Sequence, residues 1–271
     1  MYNGICIVMK LISKELNINN LKNLERGANM MQNIKYFFRG VPDNTKFIQF
    51  GLSHLWILIV STLVSYIIIK HKEENRRLEI FIGIVLIIQQ GALYMWYTAT
   101  NYNVLTQGLP LYHCRIAILF LSIGLLFNKV PLMKLGAYWG LAGAIIALVI
   151  PADMDPFMFP HITMVSFFIG HMFLLWGSIY VLYAKKIGIT KTDLKRILTF
   201  TNTYCVVIYI FNYMAKSNYG FMNSSPIQVG NNLNHFMYGI IVILISNIVI
   251  NIIYHVLNFT TKEKEELVLI D

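Results

Sequence analysis

Cys114 has the residue type and the position best suited to covalent chemistry. Pro110 is typical of the first turn of a helix, so Cys114 falls within the first turns of the helix that follows. The positive end of a helix dipole favours the thiolate form of a cysteine, and the neighbouring Arg115 acts in the same direction. A thiolate is a strong nucleophile, so Cys114 is a candidate for covalent catalysis. A buried cysteine that only fills apolar space is the ordinary alternative.

A nucleophilic thiol needs a proton acceptor, and the sequence predicts that this acceptor comes from another helix. His113 is adjacent to Cys114 and so lies about 100° away around the helix, which predicts a poor base for the thiol. Histidines on other predicted helices are better candidates, namely His171, His54 and His235.

The elements that must position these residues are membrane-spanning helices. The chain is 56% hydrophobic and only 13% charged, with a mean hydropathy of +0.58, whereas soluble domains carry about a quarter charged residues. About 20 apolar residues cross a bilayer as a helix. Apolar stretches of about this length predict an all-α, polytopic bundle of about seven spans. They lie at residues 47–69, 78–97, 111–127, 135–150, 162–184, 197–214 and 233–257.

The predicted domain organisation has four parts. Residues 47–258 form the seven-helix transmembrane domain, and residues 259–271 form a cytoplasmic tail. Residues 31–46 are expected to be an interfacial segment, because aromatic and basic side chains alternate there. Residues 1–46 carry seven lysines and arginines that would have to cross the membrane. Codons for residues 25–29 can also resemble a ribosome-binding site, so translation is predicted to begin at Met31. A disordered or interfacial arm is the alternative for residues 1–30.

The positive-inside rule orients the bundle. Lysine and arginine concentrate in one set of connections, at residues 70–77, 129–134, 185–196 and 262–264. The opposite set, residues 98–110, 151–161 and 215–232, holds only Lys216. The N-terminus is therefore predicted to lie outside and the C-terminus in the cytoplasm. The net charge of +9 indicates contact with anionic lipid, and the absence of a basic stripe with interleaved aromatics argues against a nucleic-acid partner.

This topology places most polar side chains of the spans near the outer face. Polar groups at membrane depth tend to face the bundle interior or a wet cavity, so we predict a polar cavity that opens toward the outer leaflet. Its expected lining residues are His54, Gln90, His113, Arg115, His161, Asn231, Asn234 and His235. Among them, Gln90 and the two asparagines are candidate donors to an oxyanion.

The span at residues 135–150 has a different predicted task. Gly136, Gly140 and Gly143 give it a surface of small residues with a Gly-xxx-Gly spacing, which permits close packing of helices. We predict a structural role for this span.

Several spaced segments resemble those of one membrane-protein family. They are LPLYHCR at residues 109–115, YWGLAG at residues 138–143, FPH at residues 159–161 and the pair Gly170-His171. Over about residues 40–258 the chain is similar to the YwaF family of bacterial integral membrane proteins, which is related to eukaryotic transmembrane protein 164.

This resemblance implies a phospholipid acyltransferase of the bacterial cytoplasmic membrane, with Cys114 as nucleophile and His171 as its partner. It implies membrane phospholipids or lysolipids as substrates and neither a cofactor nor a metal. In straight helices Cys114 and His171 would differ in depth within the membrane by roughly 10 Å. The span at residues 111–127, which contains Cys114, is therefore expected to tilt or to begin deeper.

Two other classes of function are compatible with the same cavity. A transporter or a ligand-binding sensor would bind its ligand without covalent chemistry, although the spans contain few of the acidic residues typical of proton-coupled transport. A metal-dependent hydrolase would use several histidines. The sequence has no His-xxx-His pair in a span, and His161 and His171 point roughly 80° apart on one helix.

Overall fold

The computed structural model describes residues 29–45, 47–151, 154–226 and 233–268. Within those residues the chain forms eight α-helices and no β-strand. The helices are α1 (29–37), α2 (Leu52–His71), α3 (Arg76–Thr100), α4 (His113–Phe127), α5 (Val130–Val149), α6 (Ile162–Ile179, continued by a π-helical turn, Tyr180–Ala184), α7 (Lys191–Ala215) and α8 (His235–Val268). By length and composition, six of them can cross a membrane, and α4 is a shorter apolar helix. The predicted all-α polytopic bundle is confirmed.

Each predicted span coincides with one of the helices α2 to α8, and the differences lie at the ends. Helix α2 begins at Leu52, because Phe50 adopts a positive φ of 60° and Gly51 is extended. Helix α8 continues to Val268, past the predicted end at residue 257. Residues 1–30 would be absent if translation began at Met31, as predicted. Of these, residues 1–28 lie outside the described residues.

Helix α5 packs closely against two neighbours through glycines. A Cβ atom on Gly136 would lie 2.5 Å from the backbone nitrogen of Leu121 in α4. A Cβ atom on Gly140 would lie 2.5 Å from Oγ of Ser178 in α6. Only glycine lets the helices approach this closely. The expected packing surface of this span is therefore present, and it holds both α4 and α6 against α5.

A buried carboxylate ties helices together at the end of the bundle where α3 begins. Glu79 is buried and accepts hydrogen bonds from Lys185 Nζ at 2.6 Å, from Arg76 Nη1 at 2.8 Å and from the Tyr180 hydroxyl at 3.0 Å. A buried charge is tolerated when it is paired and hydrogen-bonded in this way. The cluster fixes the start of α3 to the end of α6.

The segment after α1 docks on the opposite end of the bundle. Arg39 donates to the Met158 carbonyl at 2.9 Å and to the Asp43 carboxylate, and its own carbonyl accepts from Trp96 Nε1 at 3.2 Å. The Arg39 side chain and the Met158 N–H both hydrogen-bond the Asp43 carboxylate, which lowers its pKa. The segment predicted to be interfacial is thus bonded to the end of α3 and to the loop before α6.

Candidate functional site

A cavity of about 530 Å³ lies in the half of the bundle where α4 begins and α5 ends. Side chains from α3, α4, α5, α6, α7 and α8 line it, together with the loop after α7. Small-molecule sites usually enclose roughly 300–1,000 Å³, so this cavity is large enough to hold an organic ligand.

Cys114 lies in this cavity beside its neighbour in sequence. Its Sγ atom is 3.2 Å from Nε2 of His113, within hydrogen-bond distance for sulfur. Both residues belong to the first turn of α4, which no earlier turn of helix covers, so the long imidazole can turn toward the thiol. The prediction that His113 is too far around the helix is wrong, because it considered the Cβ directions and not the reach of the ring.

Gly143 of α5 makes room for this pair. A Cβ atom at that position would lie 2.9 Å from Cys114 Sγ and 2.9 Å from His113 Nε2, closer than side chains normally approach. The face of α5 that packs against its neighbours at Gly136 and Gly140 therefore borders the cavity at Gly143. The prediction of a purely structural role for this span is incomplete.

His171 lines the same cavity from α6. Its Nδ1 is 2.7 Å from the carbonyl oxygen of Phe167. A carbonyl only accepts hydrogen bonds, so Nδ1 carries a proton. In the neutral imidazole Nε2 is then the nitrogen that can accept a proton.

The structure brings Cys114 and His171 into the lining of one cavity, despite the depth difference expected in straight helices. Helix α4 begins at His113, two residues later than the predicted span. A later start is one of the two expected ways to bring the residues together.

Arg115 is engaged with the connection between α3 and α4. Its Nη1 donates to the carbonyls of Gln107 and Leu109, and its Nη2 is 3.2 Å from the hydroxyl of Tyr97. That hydroxyl donates to Asp155 Oδ2 at 2.5 Å. Arg115 thus lines the cavity and also fixes the π-helical turn Val104–Gly108 above the start of α4.

Two glutamines make this end of the cavity polar. Gln90 Nε2 and Gln107 Oε1 are buried and have no hydrogen-bond partner within the described structure, and both residues line the cavity. Leaving a buried polar atom unpaired costs about 1–3 kcal/mol, so these atoms are suited to a bound polar group. Gln90 thereby remains a candidate donor to an oxyanion.

The remaining walls of the cavity are mostly apolar. Helices α5 and α8 contribute Ala142, Ile146, Ala147, Val242, Ile245 and Val249. The far end is closed by Tyr138, Trp139, Thr201 and Ile250, where Trp139 Nε1 donates to Thr201 Oγ1 at 2.9 Å. The cavity therefore has a polar end near Arg115 and an apolar body, with the thiol and two histidines in its lining.

The sequence model of the TMEM164 family matches residues 47–258. The chain belongs to this family. The match runs from just before α2 into α8 and includes Cys114, His113 and His171. No curated protein and no solved structure matches the chain. The expected relation to transmembrane protein 164 is confirmed, and this TMEM164-family chain is a multi-pass membrane protein.

His54 was expected in the cavity and has a structural role instead. The Phe50 N–H donates to its Nδ1 at 2.9 Å, so its Nε2 carries the proton and donates to the Leu148 carbonyl at 2.7 Å. The side chain is fully buried. His54 connects the start of α2 to the end of α5 and does not line the cavity.

His161 likewise takes part in packing, at the end of the bundle where α6 begins. Its ring stacks on Phe157 with centroids 4.1 Å apart, and its Nε2 is 2.9 Å from the Arg39 carbonyl. Burial lowers its pKa to about 4. It is therefore a neutral residue that joins the N-terminal segment to the start of α6.

The remaining candidates lie near the start of α8. Asn234 caps that helix by accepting from the Met237 N–H at 2.8 Å, and His235 Nδ1 is 3.0 Å from the Asn223 carbonyl. Neither lines the cavity. Asn231 lies outside the described residues. Of the ten predicted site residues, the structure brings together Gln90, His113, Cys114, Arg115 and His171.

Sequence reasoning also missed residues that build the site. The sequence pattern marks Gly143 only as a packing glycine and assigns no role to Tyr204. The Tyr204 hydroxyl donates to the Leu111 carbonyl at 2.7 Å and so ties α7 to the residues just before α4. A tyrosine within an apolar span was the available signal, because its hydroxyl needs a partner there.

Proposed function

We propose that this TMEM164-family protein transfers acyl groups between membrane lipids through a thioester on Cys114. The observation that carries the proposal is the 3.2 Å contact between Cys114 Sγ and His113 Nε2 in a cavity within the membrane domain. A thiol within reach of an imidazole is the arrangement that activates cysteine nucleophiles. The polar end and the apolar body of the cavity match the two parts of a lipid.

In the first half of the reaction the acyl group moves to the protein. His113 Nε2 takes the thiol proton as Sγ bonds to the ester carbonyl carbon of a donor lipid. The ester C–O bond then breaks, and the protonated histidine gives its proton to the departing alkoxide. The products are a lysolipid and the Cys114 thioester. Gln90 Nε2 is the candidate donor to the oxyanion formed between these steps.

In the second half, the hydroxyl of an acceptor lipid attacks the thioester. Nε2 of His171, the second cavity histidine, takes the hydroxyl proton, the C–S bond breaks, and the departing thiolate recovers that proton. His171 therefore keeps the role of proton shuttle, whereas His113 is the direct partner of the thiol. The substrates would be phospholipids or lysolipids in the outer leaflet of a bacterial cytoplasmic membrane.

The decisive experiment is to trap the acyl-enzyme. Protein in proteoliposomes is incubated with a phospholipid whose acyl chain carries an alkyne, quenched in acid and coupled to a fluorescent azide. We expect a labelled band that neutral hydroxylamine removes, because hydroxylamine cleaves thioesters. Cys114→Ala should abolish the band. His113→Ala and His171→Ala should slow its formation and its turnover, respectively, by about 100-fold or more.

Cys205→Ala is the control for this experiment. Cys205 is the other free thiol in the described structure; it packs against Ile208, Tyr219 and Met222 and also lines the cavity, which makes it the alternative nucleophile. This variant should keep the band. If Cys114→Ala still forms the adduct, the nucleophile is wrong. If wild-type protein binds the lipid without forming any adduct, the transporter or sensor alternative is favoured.

A further inference from the structure

We infer that acyl chains enter the cavity sideways from the bilayer, through a gap between the outer halves of α5 and α8, and lie in an apolar channel that ends at Tyr138. The identity of the ligand as a long acyl chain rests on the proposed function. The route itself rests on which residues line the cavity, which of them are exposed and how α8 is attached to the bundle.

The cavity reaches the surface of the protein between α5 and α8. Ile146 of α5 is 58% exposed and Ile245 of α8 is 55% exposed, yet both line the cavity. Both residues lie within helices long and apolar enough to cross the membrane. A surface at that position faces lipid hydrocarbon and not water. The opening between these two side chains is therefore accessible to the chains of neighbouring lipids.

The two helices are in contact at the inner end of this gap. There, Tyr138 of α5 and Ile250 of α8 belong to one buried cluster, which Ile253 and Leu257 extend. Toward the outer end, three of the residues that α5 contributes to the cavity wall are small, namely Ala142, Gly143 and Ala147, and they stand beside the larger Ile146. The inner cluster closes the gap, and the small residues leave space near Cys114.

Helix α8 is attached to the rest of the bundle mainly through α7. Asn202 of α7 and Asn247 of α8 exchange two amide hydrogen bonds, of 3.2 Å and 2.6 Å. Only 6% of the apolar span of α8 is buried within the described structure. One side of α8 is thus held by α7, and the side toward the outer half of α5 borders the gap.

The channel has a definite end. The residues of α8 that line it run from Tyr238 to Ile250, a length of about 18 Å along the helix. Tyr138 and the hydrogen bond between Trp139 and Thr201 close it below the level of Cys114. A chain bound with its ester at the thiol would therefore extend toward Tyr138 within an apolar wall.

The route is tested by narrowing the gap and measuring how reagents reach Cys114. Ile245→Trp places a large side chain at the opening. Its neighbour Leu244 is 56% exposed and does not line the cavity, so Leu244→Trp is the matched control. Each protein, with Cys205 and Cys6 replaced by alanine, is reconstituted in liposomes and treated with N-hexadecylmaleimide or with the small reagent N-ethylmaleimide.

We expect Ile245→Trp to slow alkylation of Cys114 by the hexadecyl reagent roughly tenfold, the size of effect that overpacking produces. N-Ethylmaleimide should react at nearly the rate of the unsubstituted protein, and Leu244→Trp should slow neither reagent. A second pair on the opposite wall, Ala147→Phe and its control Ile145→Phe, should repeat the pattern. Equal slowing of both reagents, or no slowing of the hexadecyl reagent, would overturn the route.

These measurements need only the thiol and no turnover. If no acyl-enzyme forms but Ile245→Trp selectively slows alkylation by the hexadecyl reagent, the lipid-accessible channel is supported and the catalytic proposal is wrong. If the acyl-enzyme forms but the hexadecyl reagent is not selectively slowed, the catalytic proposal is supported and lipids enter elsewhere.

Discussion

At the scale of single residues, the candidate site depends on how far side chains reach. Cys114 and His113 are adjacent in the chain, and helical spacing alone separates their Cβ directions by about 100°. The imidazole nevertheless brings Nε2 to 3.2 Å from Sγ, because the first turn of α4 leaves space around it. Gly143 supplies that space from the other side.

The role of Gly143 gives a specific prediction. In Gly143→Ala the new methyl group would lie 2.9 Å from both Cys114 Sγ and His113 Nε2, so both atoms must move away from it and their contact is disturbed. Acyl transfer should fall by about tenfold or more, since small displacements of reacting groups are costly. The melting temperature in detergent should change little, because the atoms that must shift are side-chain atoms bordering the cavity.

The control for this prediction is Gly91→Ala. Gly91 lies within α3, and a Cβ atom there would meet no other atom within 4 Å. This variant should keep full activity. Normal activity of Gly143→Ala would show that the contact between His113 and Cys114 is unimportant for catalysis.

At the scale of helices and segments, short connections decide where the chemistry lies. Helix α4 has 15 residues, whereas its neighbours α3 and α5 have 25 and 20. The first turn of α4 lines the cavity, and Arg115 fixes this turn to the π-helical turn that precedes it. The segment after α1 closes the same end of the molecule through Arg39, Asp43 and His161.

The docking of that segment should depend on pH. His161 has a pKa of about 4 in the folded protein, below its ordinary value of 6.5, because it is buried. The unfolded or undocked state therefore binds more protons between these values, and docking should weaken as the pH falls from 6.5 toward 4. Asp43 stays ionised over most of that range, since its hydrogen bonds with Arg39 and Met158 lower its pKa.

Amide hydrogen exchange at residues 29–45 measures this effect. Exchange should accelerate between pH 6.5 and pH 4 after correction for the intrinsic pH dependence of the chemistry. In His161→Gln, which does not titrate, the corrected exchange rate should be independent of pH over this interval. A wild-type profile equally independent of pH would contradict the assignment to His161.

At the scale of the whole molecule, the charges in the loops predict the orientation. Among the described residues, the end of the bundle near Glu79 holds most of the lysines of the span ends and connections, including Lys185 in its ion pair with Glu79 and Lys134 in its ion pair with Asp193. Lys216 belongs to the opposite end, as do Lys35 and Arg39 of the docked N-terminal segment. The positive-inside rule then places the Glu79 end in the cytoplasm and the mouth of the cavity toward the outer leaflet.

Single-cysteine labelling tests this orientation. In a chain whose native cysteines are replaced by alanine, Leu105→Cys should react with a membrane-impermeant maleimide in intact cells. Gly188→Cys, at an exposed position between α6 and α7, should react only after the membrane is permeabilised. The opposite pattern would place the cavity on the cytoplasmic side.

The sequence alone was sufficient to predict the class of fold and the approximate position of every spanning helix. Each span has to be apolar along its own length to lie in lipid, so this information is local. The sequence also predicted the family and the convergence of Gln90, Arg115, Cys114 and His171 in one half of the bundle. This was possible because the positions of the apolar stretches and of the basic loops predict how deep each residue lies in the membrane and in which direction each span crosses it.

Only the tertiary structure decided which histidine contacts the thiol and which histidines serve packing. The rotation of each helix about its axis and its exact depth depend on contacts between helices, such as Gly143 against Cys114 and His54 against the Leu148 carbonyl. Those contacts join residues far apart in the chain. A histidine near the end of a span has the same sequence signature whether it caps a neighbour or faces a cavity, because the difference lies in its partner.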